Sequence, residues 1–298
     1  MIWIPVVGIY ADIDVYASVV AYADLLKQRG EEVKTYIPFA PNYSVPEELR
    51  APEWEQAEFG LRPGDGAIIL DISIPEIINR RVPTEQILEL IDHHPGYEEY
   101  WQEQIGEREM IEKIGAVATI VFEKWGEAEM LPRTAKLLMS AILDNTLNFT
   151  ATNTTERDRE AARKLAEIAG TTVEDFTKWY FAKVSEQILA NPGGALLEDC
   201  KVIRVPAVPG EVAFGQLTIW DAEDLKKQPE RIAEAMANKS KNWIVNIRCI
   251  SENKNYILME MENLEGVLEK LPELKQEEKW WTTDKVYLRK QLIGMMQG

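Results

Sequence analysis

The sequence predicts an α/β protein of two domains: an N-terminal parallel sheet with helices on both faces, then a smaller C-terminal α/β domain, with the functional cleft between them. Three observations predict it. Strand-like apolar runs alternate with amphipathic helical stretches through the first half. A breaker cluster, Asn191-Pro192-Gly193-Gly194, interrupts the pattern. A length of 298 residues suits two hydrophobic cores better than one.

Taken in order, Ile2 to Tyr10 reads as a buried strand and Tyr16 to Arg29 as a helix closed by Gly30, together a βα unit. Ala67 to Leu70, reached through the turn Pro63-Gly64-Asp65-Gly66, is a second strand, and Ile87 to Ile91 a third. Each run ends at an acidic residue: Asp12, Asp71 and Asp92. Arg133 to Leu143 has helical spacing. The next helix takes Thr154 or Thr155 as its N-cap, carries Glu156 in its first turn and ends at Gly170. Its interior, Glu160 to Glu167, consists of strong helix formers and is structural. The linker is expected over 189–195, separating domains 1–188 and 196–298. Beyond it, Lys201 to Val205, Val212 to Ile219, Trp243 to Ile250 and Tyr256 to Met261 read as strands, with a charged helix from about Asp221 to Asn238.

Composition narrows the function. With 33 basic and 50 acidic residues the net charge is −17, which argues against a nucleic-acid duplex or an anionic membrane surface as partner. Any anionic ligand must meet local positive groups or metal ions. No apolar stretch is long enough to span a bilayer, and Met1 to Ile9 lacks the basic flank of a secretory signal. The two cysteines, Cys200 and Cys249, make neither a disulfide framework nor a metal-type pair, so the cytoplasm is the expected compartment. Tryptophans such as Trp101 and the adjacent Trp280-Trp281 are read as packing residues, and any exposed ones as candidates for a homodimer contact.

In an open parallel sheet, ligands sit beyond the carboxyl ends of the strands. Asp12, Asp14, Asp71 and the run Asp92-His93-His94 are all expected there. Carboxylates and imidazoles on such an edge suit one or two divalent cations, manganese or magnesium, with cobalt or zinc as alternatives. Each piece also has a plain structural reading: Asp-x-Asp is a common turn or helix-start device. His93 and His94 are more telling, being the only histidines of the chain, adjacent to each other and next to an aspartate.

Ile91-Asp92-His93-His94 resembles the signature of the DHH phosphoesterases. Ala11-Asp12-Ile13-Asp14 running into Ala21-Tyr22-Ala23-Asp24-Leu25 resembles the first motif of the branch holding the manganese-dependent (family II) inorganic pyrophosphatases and exopolyphosphatases. Leu70-Asp71 is similar to its second motif. Ala118 to Val121, then Leu138 to Phe149, resemble the third-to-fourth motif region. The resemblance runs closely over about residues 1 to 185. It is thinner beyond, resting on Phe181-Ala182-Lys183, Leu196 to Lys201 and Arg289-Lys290.

The resemblance implies metal ligation by Asp12, Asp14, Asp71 and His93, aided by Asn145 or Asp144, with Asp71 and His94 catalytic. His94, Lys183, Lys201, Arg289 and Lys290 would contact substrate phosphates. It further implies hydrolysis of pyrophosphate or short polyphosphate. Two positions depart from the pattern: Gly8 or Ile9 stands where a first-motif histidine is expected, and Asn145 where a fourth-motif aspartate is, with Asp144 one place early. On a helix that one-place slip is a rotation of about 100°. A metal-poor relative that only binds a phosphorylated ligand or partner is therefore a second expectation, and a phosphodiesterase of short oligonucleotides or cyclic dinucleotides a third.

Overall fold

Short β-branched runs separated by helices favour parallel pairing, because parallel strands need such crossovers. The computed structural model describes residues 1–56, 58–271 and 273–297. In its first unit the strands are β1 (Ile2–Pro5), β2 (Val33–Tyr36), β3 (Gly66–Leu70), β4 (Ile87–Asp92) and β5 (Glu109–Ile111). They form a five-stranded sheet in the order β2-β1-β3-β4-β5, every pair parallel. The order reverses between β1 and β3, and such a switch point is where doubly wound sheets take their ligands. Leu70 stands beside Ile91, so Asp71, just past β3, and Asp92, the last residue of β4, emerge at one edge. Gly66 opens β3 for a steric reason: a β-carbon there would meet Leu88 Cδ1 at 2.4 Å.

The helices of this unit are α1 (Ile13–Gln28), α2 (Pro75–Ile78), α3 (Glu98–Ile105), α4 (Val117–Trp125), α5 (Pro132–Asn145) and α6 (Glu156–Ala169); α7 (Val173–Ala190) follows. Helix α1 is buried along most of its length and packs on α4 and α5, as a helix apolar nearly all round must. Ile69, Ile87 and Leu90 of the sheet pack with Ile78, Val82, Trp101 and Ile105. Thr155 proves to be the N-cap of α6, locked with Asp158 in a reciprocal capping box. The first strand is shorter than expected. It stops at Pro5, which has no N–H for the ladder, and Gly8 follows in a loop, so Asp12 belongs to the start of α1 rather than to a strand end.

Two compact units divide the chain, Met1–Thr177 and Lys178–Gly298, ahead of the expected linker and within α7. The second unit holds β6 (Lys201–Ile203), β7 (Val212–Ile219), β8 (Asn242–Cys249), β9 (Lys254–Glu260), β10 (Lys275–Glu277) and β11 (Trp280–Thr282). These make a six-stranded sheet, β10-β11-β9-β8-β7-β6, with β7 and β8 parallel and the other pairs antiparallel. Its helices are α8 (Pro192–Glu198), α9 (Glu223–Lys226), α10 (Pro229–Ala237), α11 (Leu264–Lys270) and α12 (Arg289–Gln297). Phe214, Ile244 and Ile257 pack against Val267, Leu271, Leu292 and Met296.

Two further expectations are corrected here. Asn191 does break the helix, but Pro192-Gly193-Gly194 opens α8: proline is tolerated in a first turn, and the Gly194 N–H donates to Asn191 Oδ1 at 3.1 Å. The single helix expected over 221–238 is two helices, because Pro229 starts α10 and cannot continue α9. Among the described residues no helix is long and apolar enough to cross a membrane. No tryptophan appears among their exposed large apolar side chains.

Candidate metal centre

Asp71 leaves β3 with φ +60°, a left-handed conformation that aspartate tolerates better than most residues but that still costs about 1 kcal/mol. That turn, braced by the Asp71 N–H donating to the Ile91 carbonyl at 2.9 Å, holds the carboxylate beside the end of β4. Its Oδ1 is buried and has no hydrogen-bond partner. His93 Nε2 stands 3.5 Å from it and His94 Nδ1 3.8 Å. Burial pushes the Asp71 carboxyl well above the usual range, and the charges of Asp14, Asp12 and Asp92 push it in the same direction.

The two histidine rings meet edge to face with centroids 4.5 Å apart, and their hydrogen bonds assign them different tautomers. His93 Nδ1 lies 3.2 Å from the Ile114 carbonyl, which only accepts, so Nδ1 carries the proton and the Nε2 lone pair faces Asp71. A carbonyl behind the ring is the usual support of a metal-binding histidine. Gly115 is what lets that carbonyl approach, since a β-carbon there would strike Thr146 Cγ2 at 2.5 Å and Asp158 Oδ2 at 2.7 Å. His94 Nδ1 instead donates to Asp92 Oδ1 at 2.8 Å. Partial desolvation opposes the His94 imidazolium, but that bond, with the charges of Asp92, Asp14 and Asp12, outweighs it and raises its pKa. Asp92 is fully buried, yet its pairing with His94 overcomes burial and holds its pKa below the usual value.

Asp71, His93 and His94 form the cluster able to hold a metal ion, with donor atoms all within 4.8 Å of one another. Asp12 uses Oδ1 to accept the Val15 N–H at 3.2 Å, capping α1. Asp14, with no exposed surface, accepts from four groups: Val117 N–H at 3.0 Å, Ala118 N–H at 2.9 Å, Asn145 Nδ2 at 2.5 Å and Ser18 Oγ at 3.4 Å. Burial lifts its pKa to about 6 against the pull of those donors and of His94. Asn145, rather than its neighbour Asp144, is the α5 residue hydrogen-bonded to Asp14. Ile9 carries no ligand atom and is 86% exposed.

The second unit holds the expected basic residues. The buried Arg289 donates to the Asp199 carbonyl and, at 2.9 Å, to Asp199 Oδ1. Lys201 titrates low because it is desolvated and because Arg289 is near. Lys183 pairs with Glu186 at 3.0 Å along one helix, and Lys290 is exposed on the first turn of α12. Sequence reasoning missed several supporting groups. Asp92 orients both histidines, and its place in the Asp-His-His run was the available signal. Asn246 and Asn255, both buried, clamp the Tyr287 backbone ahead of Arg289, a role only the fold reveals.

The DHH family, N-terminal domain, matches residues 3–142. Residues 3–142 thus carry the N-terminal domain of the DHH family. The chain is similar to the manganese-dependent inorganic pyrophosphatase of Bacillus subtilis, 27% identical over 238 residues that cover 76% of this chain and 74% of the relative. Its fold matches a Methanococcus jannaschii protein described as a candidate family II inorganic pyrophosphatase, with TM-score 0.67 at 20% identity over the whole of both chains. An exopolyphosphatase-related protein from Bacteroides fragilis matches with TM-score 0.50 at 12% identity, covering 99% of this chain and 89% of that one. These matches make the chain similar, in sequence and in fold, to proteins of the family II pyrophosphatase branch.

Proposed function

We propose that this protein hydrolyses a phosphoanhydride bond, of inorganic pyrophosphate or short polyphosphate, at a divalent-cation site founded on Asp71 and His93. One observation carries the reading: the His93 Nε2 lone pair faces the unpartnered Asp71 Oδ1 at 3.5 Å, and two electron-rich atoms so placed take a proton or a metal cation between them. The names of the relatives, with manganese in them, support the metal and the substrate class.

A divalent cation there supplies positive charge to phosphoryl oxygens and makes water a better nucleophile near neutral pH. The remaining chemistry falls to the chain. Asp12 and Asp14 add negative field around the ion, with Asn145 fixing Asp14. His94, 61% exposed and biased toward its protonated form by Asp92, contacts substrate and offers a proton or a charged hydrogen bond to a phosphate oxygen. In the second unit Lys201, Lys183 and Lys290 are the phosphate contacts, while Arg289 is held by Asp199. Asp144 is left without a ligand role.

The test is phosphate release from pyrophosphate by the full chain across a manganese titration. Release that requires manganese and disappears on chelation is expected. No release at any manganese concentration would reject catalysis and favour a phosphate-binding relative, the reading that the Asn145 amide supports.

A further inference from the structure

We propose that this metal centre takes one divalent cation rather than a pair, because Asp14 is closed to metal while Asp71 Oδ1, beside His93 Nε2, accepts no hydrogen bond. The inference rests on reading Asp71 and His93 as ligands.

A carboxylate offers about four lone-pair sites. Asp14 has all of them engaged, by two backbone N–H groups at the start of α4, the Ser18 hydroxyl and the Asn145 amide. To ligate a cation Asp14, itself without exposed surface, would have to release donors it now satisfies, at a cost for each one left unpaired. The amide cannot simply flip, since its oxygen would then face a carboxylate. Asn145 thus supplies, as a neutral donor, the positive end that a second ion would have given Asp14. It sits on the last turn of α5, which packs on α1, so both partners are fixed by helix packing.

The loop at the sheet's switch point points the same way. From Val6 to Ala11 it holds no carboxylate, imidazole or thiol, and its tip, Ile9, is 86% exposed and aliphatic. Among the described residues the donor cluster is Asp71, His93 and His94, and His94 Nδ1 is already given to Asp92. Asp71 Oδ1 and His93 Nε2 are therefore a foundation for a single ion, within the field of Asp12.

The experiment titrates manganese(II) alone into the full chain, with calorimetry for stoichiometry and electron paramagnetic resonance for coupling between ions. One ion per chain with the spectrum of an uncoupled centre is expected. Asp14→Asn, which removes a charge from the field but no ligand, should keep one ion per chain at weaker affinity. Asn145→Asp, which sets a second carboxylate against Asp14, should raise the stoichiometry to two and broaden the spectrum by ion–ion coupling. Two ions in the unaltered chain, or loss of the ion in an Asp14→Asn variant whose circular dichroism is unchanged, would overturn the inference and leave the proposed hydrolysis standing. A folded Asn145→Asp variant that stays at one ion would also overturn it. Absence of any bound ion would remove the metal site itself, and with it both readings.

Discussion

The two units enclose charge in opposite ways. At the edge of the first sheet, Asp71 and Asp92 are buried and meet histidines rather than lysine or arginine among the described residues, and Asp71 keeps an oxygen with no partner. In the second unit Arg289 is buried against Asp199 as a closed pair, with its guanidinium also bonded to a backbone carbonyl. A closed pair is complete as it folds. An enclosed anion cluster is complete only when protons or a metal ion join it. The first unit is thus built to receive a cation, and the second to hold its own.

The largest break in that comparison is Asp71→Asn. Removing the open carboxylate should lower manganese affinity, read by calorimetry, by at least about 100-fold, and phosphate release with it. Arg289→Ala acts on the other unit: it takes the charged donor from the half-buried Asp199, which keeps the Gln216 amide, and should cost about 2 kcal/mol in urea unfolding without weakening manganese binding.

Acidity separates the units further. The raised pKa values of Asp14, about 6, and of Asp71 mean that the metal-free fold binds more protons than the unfolded chain. Their contribution to stability is therefore present at low pH and lost as pH rises through the folded values. The raised His94 acts in the same sense. The melting temperature of metal-free protein should fall between about pH 5 and pH 8, while the increment given by manganese should grow over the same range, since metal displaces those protons. A melting temperature that rises through this window without metal would contradict the assignment. The smallest effect belongs to Lys183→Ala, which removes an exposed pair with Glu186 and should change stability by under about 0.5 kcal/mol.

How much of this was legible in the sequence follows from the same contrast. Strands β3 and β4 and the aspartates ending them could be read because an apolar run stopping at a charge is a local signal. The pairing of Asp71 with His93 followed from the ordering of parallel strands. The state of Asp14 could not be read, because its donors, Val117, Ala118 and Asn145, come from α4 and α5, about a hundred residues and more along the chain. Asp12 was misplaced to a strand end because nothing in an apolar run marks where Pro5 withdraws from the ladder. Pro192-Gly193-Gly194 was read as a breaker on composition, whereas Asn191 capping α8 decided the outcome. Asp199 as the partner of Arg289 is a contact across 90 residues that no spacing announces.

The most direct measurement is anomalous scattering at the manganese absorption edge from crystals of the unaltered chain grown with manganese. A peak within bonding reach of both Asp71 Oδ1 and His93 Nε2 is the predicted result. Density placed on other side chains, or no peak with both side chains ordered, would contradict the assignment of this edge as a cation site.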